Sequence, residues 1–376
     1  MGHLSETQQR AMERFARHGH TWYRARLAPP RHTPRIVIDT DAANEIDDQF
    51  ALAWALLSPG QLNIQAVYAA PFSFEHRRRE MLRARDARDH PGNASAADLE
   101  LLEQHAAALA LAQRKGWALE HLALPPFNPP DVGMERSYQE ILTVFGKCGV
   151  APGQRVMRGS RAYLRTLDAP QASDAARHLV EAARDSAADD PLYVVALGCL
   201  TNVASALLMA PDISERIVVV WTAGYPSHAP QTNFAFNLEQ DMLAANVVLD
   251  SGVPHVYLPG YHVGAQLRLS TPEIERHVAG CGAIGAYLQH LFTHNPLWEL
   301  LGIESLEGHS WVMWDMINIA WLLNPAWVPS DLTTTPLLTP ERKWHHDAAR
   351  HPMREAYAVQ RDAIFGDFFR KLGSAP

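Results

Sequence analysis

Four aspartates, Asp39, Asp41, Asp47 and Asp48, crowd into ten positions directly after the apolar run Ile36, Val37, Ile38. A short β-branched run of this kind reads as a buried strand of a parallel sheet. The pattern Phe50, Leu52, Ala53, Leu56, Leu57 then reads as a helix. The carboxylates therefore sit on a strand-to-helix turn at the carboxyl end of a strand, where open α/β sheets place ligands. Carboxylates this close repel one another, and burying each costs roughly several kcal/mol unless a positive charge compensates. The segment 35–57 contains no lysine, and Arg35 lies at the opposite end of the strand. A helix N-terminus supplies only about half a charge. A bound divalent cation meets the need, and an all-oxygen ligand set favours Ca²⁺ or Mg²⁺ over zinc. A single Asp here would be explained as a helix cap; four exceed what capping requires.

The elements that must hold this turn follow an alternating order. Strands are expected at 62–69, 192–197, 217–222 and 255–258. Helices are expected at 137–148, 202–209, 238–249, 272–279, 283–301, 311–323 and 362–372, with another capped by Asp174 and an extended stretch at 332–338. That order implies an α/β fold, a mostly parallel open sheet with helices on both faces. Residues 1–34 read as an N-terminal helical extension, with a helix at 4–19 and a connector carrying Pro29, Pro30 and Pro34. Residues 35–376 read as a single domain, interrupted at 75–130 by a helical insertion. There, helical patterning at 75–89 and 97–120 flanks the turn His90-Pro91-Gly92-Asn93. The insertion reads as a lid, an oligomer contact, or an excursion with no role in chemistry.

Three further features carry chemistry. Asp315 stands within the apolar stretch 310–323, where a lone carboxylate needs a partner. The strand 192–197 ends in Gly198, leaving carbonyls free of the sheet ladder. His309, His345 and His346 are proton-transfer candidates, the last two better read as surface residues. Composition narrows the function. A net charge of −8 argues against nucleic acid as the main partner, because phosphate neutralisation needs a basic surface. No apolar run approaches the roughly 20 residues needed to cross a bilayer, and the first thirty residues lack the apolar core of a signal peptide. Cys148, Cys199 and Cys281 are odd in number and far apart, which fits a reducing cytoplasm and no disulfide framework.

Asp39-x-Asp41, a loop, then Asp47-Asp48 opening a helix resembles the signature of the inosine-uridine-preferring nucleoside hydrolases. These are calcium-dependent enzymes that cut the N-glycosidic bond of ribonucleosides. The turn Gly198-Cys199-Leu200-Thr201-Asn202 resembles the family's strand-end Gly-x-Leu-Thr-Asn, and Asp315 matches its late metal-binding Asp. The resemblance implies a nucleoside-hydrolase-like, Rossmann-like fold, usually assembled as a homo-oligomer. It implies Ca²⁺ held by Asp41, Asp48, the Leu197 carbonyl and Asp315. Asp41 would be the general base toward water, Asp47 would bind a ribose hydroxyl, and Asp39 would support the loop. In Phe236-Asn237 it places Asn237 on the ribose.

The chain departs from the family at several points. Five residues, 42–46, separate the second and third aspartates, a longer loop than the family's usual one. Trp314 stands where the family commonly has a His that protonates the leaving base; an indole can stack on a base but not donate that proton usefully. His309 is then the candidate acid. Ala235 replaces a ribose-binding Glu, so Asn233 is expected to supply that contact. The segment Ala70-Pro71-Phe72-Ser73 lacks a substrate Asn, for which Asn128 is the expected substitute. Two rivals stand beside the hydrolase: a degenerate member that binds a nucleoside-like small molecule without cutting it, and a haloacid-dehalogenase-like phosphatase. The latter also begins strand-Asp-x-Asp but wants Thr or Val where Ala43 stands.

Overall fold

The structure, a computed structural model, describes residues 10–375 apart from 117, 120–127, 188, 301–302 and 304. Its centre is an eight-stranded sheet built around β1 (Arg35–Thr40). β2 (Asn63–Ala69), β3 (Val156–Arg158), β4 (Leu192–Ala196), β5 (Ile217–Ala223) and β6 (His255–Pro259) follow in the spatial order 3-2-1-4-5-6. All of these pair in parallel. The strand Pro352–Ala356 adds in parallel beside β6, and Ser330–Thr334 closes that edge antiparallel.

Alternation along β1 explains why the run 36–38 is entirely apolar. Ile36 and Ile38 enter one core with Phe50, Trp54, Met316 and Trp321, while Val37 enters the core on the opposite face with Leu179, Val203 and Val247. Both faces are covered by helices, so neither side chain parity reaches water. The strand order reverses between β1 and β4, and the crevice beyond their carboxyl ends is the topological switch point.

Within the stretch 75–115, the helices Glu75–Asp89 and Ala96–Lys115 form a hairpin. Ser95 opens the second helix in a capping box with Asp98, and Gly116, at φ 66°, ends it. The hairpin has its own small core of Met81, Ala84, Leu101, Leu109, Ala112 and Leu119, against which Phe234 packs. Arg342 ties it to the body by pairing with both Glu80 and Glu239.

Several expected elements are corrected. The stretch 311–323 is a strand, Ser310–Val312, followed by the helix Met316–Leu323, so Asp315 precedes the helix instead of lying inside it. The 137–148 helix starts earlier, at Pro130, a residue suited to a first helical position, and so includes Gly133, Met134 and Glu135. Ser173 rather than Asp174 caps the helix Asp174–Arg184. The 238–249 helix is broken into Phe236–Glu239 and Met242–Ser251, because the Asp241 side chain caps the second piece through the Ala244 amide. The 283–301 stretch divides into Gly282–Thr293 and Leu297–Leu300. Of the helix expected at 4–19, residues 10–12 are helical and 1–9 lie outside the described residues.

Asn318 fastens the helix 316–323 to the sheet. Its fully buried amide donates to the Ala196 and Val220 carbonyls at 3.1 Å each and accepts from Thr222 Oγ1 at 2.6 Å. Asn318→Ala removes all three bonds and strands a buried hydroxyl. An expected loss of about 2–3 kcal/mol should appear as a lower urea midpoint.

Candidate functional site

β1 carries Asp39 and Thr40 as its last residues, one position longer on each face than an apolar-only strand would be. Asp41 leaves the strand, the loop 42–46 crosses the crevice, and Asp47 and Asp48 occupy the first turn of the helix Asp47–Leu56. Acidic residues suit that position, where the helix N-terminus is positive. Asp315, delivered by the segment between Val312 and Met316, completes a compact group. Carboxylate oxygens of Asp47, Asp48 and Asp315 all lie within 4.8 Å of one another, and all three residues are buried. The trio differs from the expected ligand set in containing Asp47; Asp41 lines the same cavity beside it.

The cavity holds about 520 Å³, within the range of small-molecule sites. Asp41, Glu45, Asp47, Asp48 and Asp315 all line it, with the Leu197 position at the end of β4. Glu45 was not legible in the sequence as a site residue: it sits in the loop whose length departs from the resembled pattern. In the structure its Oε1 accepts from Trp311 Nε1 at 2.9 Å. Gly198 admits Asp41 to the crevice, since a Cβ at 198 would fall 2.8 Å from Asp41 Oδ1.

Burial raises every one of these acids. Asp48 is pushed up to about 6, chiefly by loss of water, although Thr40 Oγ1 donates to its Oδ1. Glu45 is pushed up to about 7 by burial. Asp41 lies well above the carboxylate range through burial and then the Asp48 charge; Asp47 follows through burial and then Glu45; Asp315 through burial and then Asp47. An uncompensated crowd of this kind must hold protons or a cation. The donors are oxygens throughout, and Leu197, whose carbonyl accepts from Asn237, lines the same cavity, so a hard dication fits the residues present.

Asp39 stays behind this cluster. Its Oδ1 accepts from Asn202 Nδ2 at 2.8 Å, Asn202 Oδ1 in turn accepts from Ser160 N and Oγ, and burial pushes Asp39 up to about 7. Thr201 Oγ1 donates to Asp241 at 2.7 Å. Neither side chain caps the helix Thr201–Met209; they anchor loops around the crevice. Cys199 is fully buried and its thiol is raised by burial, as suits a packed small residue.

The remaining expected residues divide. Asn237, His309 and Trp314 line the cavity. The Asn237 amide donates to the carbonyls of Leu197 and Thr222. Trp314 meets Tyr261 edge-on at 5.9 Å, and His309 meets Trp298 edge-on at 6.2 Å. Asn233 is corrected: it is fully buried outside the cavity lining, where its Oδ1 accepts from the Tyr225 amide and its Nδ2 donates to the Arg342 carbonyl. It shapes a loop and has no free polar group for a ligand. Asn128 is also absent from the cavity lining; it lies two residues before the helix Pro130–Lys147. His346 bonds the Ser227 carbonyl at 2.8 Å and likewise stands apart from the cavity.

An open, mostly parallel sheet with a carboxylate-lined cavity at its switch point defines a doubly wound α/β protein with a ligand site of oxygen donors. The family model of the inosine-uridine preferring nucleoside hydrolases matches residues 36–362, and the chain belongs to that family. A pyrimidine-specific ribonucleoside hydrolase RihA of Shewanella sp. (strain ANA-3) is 32% identical over 167 residues, 42% of this chain and 48% of the relative. The RihA of Salmonella enteritidis PT4 is 32% identical over 162 residues, 42% of this chain and 50% of the relative. The chain thus matches about half the length of these curated relatives. Among solved structures, an inosine-guanosine nucleoside hydrolase superposes with a TM-score of 0.59 at 15% identity, covering 91% of this chain and 99% of that one. A purine-preferring ribonucleoside hydrolase from Gardnerella vaginalis gives 0.57 at 16% identity, covering 91% and 98%. These two show a shared fold, and family membership sets the phosphatase rival aside.

Proposed function

We propose that this chain hydrolyses the N-glycosidic bond of a ribonucleoside or related N-riboside, releasing base and ribose, with Ca²⁺ as its cation. The observation that carries the reading is the convergence of Asp41, Glu45, Asp47, Asp48 and Asp315 on one cavity at the switch point. Asp47, Asp48, Asp315 and the Leu197 carbonyl, with Asp41 beside them, would hold the cation. When bound, it supplies a positive centre that neutralises these acids and attracts water and the vicinal ribose hydroxyls.

Asp41 takes a proton from the attacking water as general base. Water's oxygen bonds to C1′ while the C1′–N bond breaks and its electron pair leaves with the base. The carboxylates around the sugar stabilise the oxocarbenium-like charge that develops. Asn237 holds the Leu197 carbonyl and orients the ribose side of the cavity. Trp314 and Tyr261 offer aromatic faces to the base. His309, exposed on the same cavity, is the residue able to return a proton to the departing nitrogen. Asp39 supports β1's end through Asn202. Three free cysteines agree with a reducing, cytoplasmic setting, no helix among the described residues is long and apolar enough to cross a membrane, and the family pattern adds a homo-oligomer.

The test is a reducing-sugar assay over a nucleoside panel. Turnover is expected to vanish with chelator, return with calcium, and fall by about 10²–10⁴-fold in Asp41→Asn. Trp314, which cannot act as the leaving-group acid, favours the second reading, a binder that does not cut. A protein that binds nucleosides in calcium yet never yields reducing sugar would establish that reading instead.

A further inference from the structure

The general base of the proposed reaction is itself loosely held. Asp41 has left its strand, Gly198 offers it room and no side chain, and Asn44 Nδ2, from the irregular loop 42–46, reaches its Oδ2 at 3.3 Å. A carboxylate that takes a proton from water needs a fixed direction. Gln240, only 6% exposed, stands outside the cavity lining at the break between the helices Phe236–Glu239 and Met242–Ser251. The backbone there is pinned by the next residue. Asp241 accepts from Thr201 Oγ1 at 2.7 Å, from the Leu164 amide at 2.9 Å and from the Ala244 amide at 2.9 Å.

The Gln240 amide can face only one way. Its Oε1 accepts from the Ser73 backbone N–H at 3.0 Å and from the Tyr163 hydroxyl at 2.7 Å. A backbone N–H is a donor alone, so the amide oxygen must meet it and Nε2 points elsewhere. Burial, and after it Cys199 and Asp41, raise the Tyr163 hydroxyl, which keeps the proton it donates. Nε2 is buried and meets no acceptor at good hydrogen-bond geometry. The acid it acts on is Asp41: burial and the Asp48 charge raise that carboxyl, and the Gln240 amide works against them by favouring the charged form. A buried donor left over costs free energy unless an acceptor takes it. Building on the hydrolase reading, we propose that Gln240 is a positioning residue for Asp41, its Nε2 donating to the carboxylate and aiming it at the attacking water. Tyr163 and Ser73, the latter from the segment that lacks a substrate Asn, hold the amide in that orientation.

Kinetics and crystallography test this separately. In calcium, Gln240→Met is expected to lower kcat for uridine by about 10–100-fold, the scale of one hydrogen bond to a charged group, with KM and calcium affinity within about twofold of wild type. The same substitution placed in Asp41→Asn is expected to cost less than about twofold more, because a residue acting through Asp41 has nothing left to act on. A merely structural role would lower both backgrounds alike, and such an additive cycle overturns the inference. A crystal structure of the calcium-loaded wild type is expected to place Nε2 about 2.7–3.2 Å from an Asp41 oxygen, and that of Gln240→Met to show Asp41 in another rotamer. Nε2 out of reach, or Asp41 unmoved in the variant, overturns the inference while turnover of uridine keeps the hydrolase reading standing. If no nucleoside is cut but the contact and the rotamer change are both seen, the hydrolase reading fails and the positioning of Asp41 holds. Should Gln240→Met not fold, the wild-type distance decides alone.

Discussion

Asp48→Asn is expected to reduce nucleoside turnover by at least about 10³-fold and to abolish stabilisation by calcium. The size follows from geometry: Asp48 shares the compact group with Asp47 and Asp315 and is buried with them. An amide keeps the shape but offers one neutral oxygen, weakening a hard cation's hold and the charge that faces an oxocarbenium-like centre. Losing roughly 4 kcal/mol of transition-state stabilisation corresponds to that thousandfold. Thr40, whose hydroxyl donates to Asp48 Oδ1, can still bond the amide oxygen, so the fold is retained. Steady-state kinetics with a calcium titration, beside thermal melts with and without calcium, checks the expectation. Full activity in Asp48→Asn would remove it from the cation site.

In chelator, the protein is expected to lose thermal stability as pH rises from about 5 to 8, the reverse of the usual acid-labile pattern. Burial raises Asp39 to about 7, Glu45 to about 7 and Asp48 to about 6. A carboxyl raised on folding binds protons in the native state over a range where the unfolded chain has released them. The native state is thus favoured below the unfolded carboxylate value, near 4, and that advantage is lost as pH climbs through the raised value. Asp39 is fully buried, and about three pH units at roughly 1.4 kcal/mol each give about 4 kcal/mol from it alone. That corresponds to a few degrees in Tm for a chain of this size. Calcium should restore the loss and bind more tightly at higher pH, because its ligands must shed protons first. Differential scanning calorimetry at pH 5.5 and 8.0, with chelator or calcium, reads both effects. A chelated protein equally stable at both values, and indifferent to calcium, would show that these acids are not buried together.

The carboxylate corner was legible because its physics is local. Apolar β-branched residues followed at once by acids and a helical pattern leave few places for the acids except the end of a buried strand. The loop 42–46 was not, since a cluster of side chains on an irregular segment has no period, and Glu45 entered the cavity unannounced. Asn318 and Asp241 were invisible for a related reason: each joins elements far apart in sequence, and an amide or acid near a helix start looks like an ordinary cap. Asn233 misled in the opposite direction. Its place near Phe236 and Asn237 suggested a ligand contact, but the backbone of Arg342, over a hundred residues away, absorbs its amide.

From its sequence alone this protein was bound to an open α/β sheet with acids at the end of its first strand, because hydrophobic period and charge crowding act over a few neighbouring residues. Only the tertiary structure decided which acids share a point, which amides face the cavity, and that an inserted hairpin brings Arg77 to its wall. Those outcomes depend on contacts between elements that the chain order leaves far apart, and packing alone sets their distances.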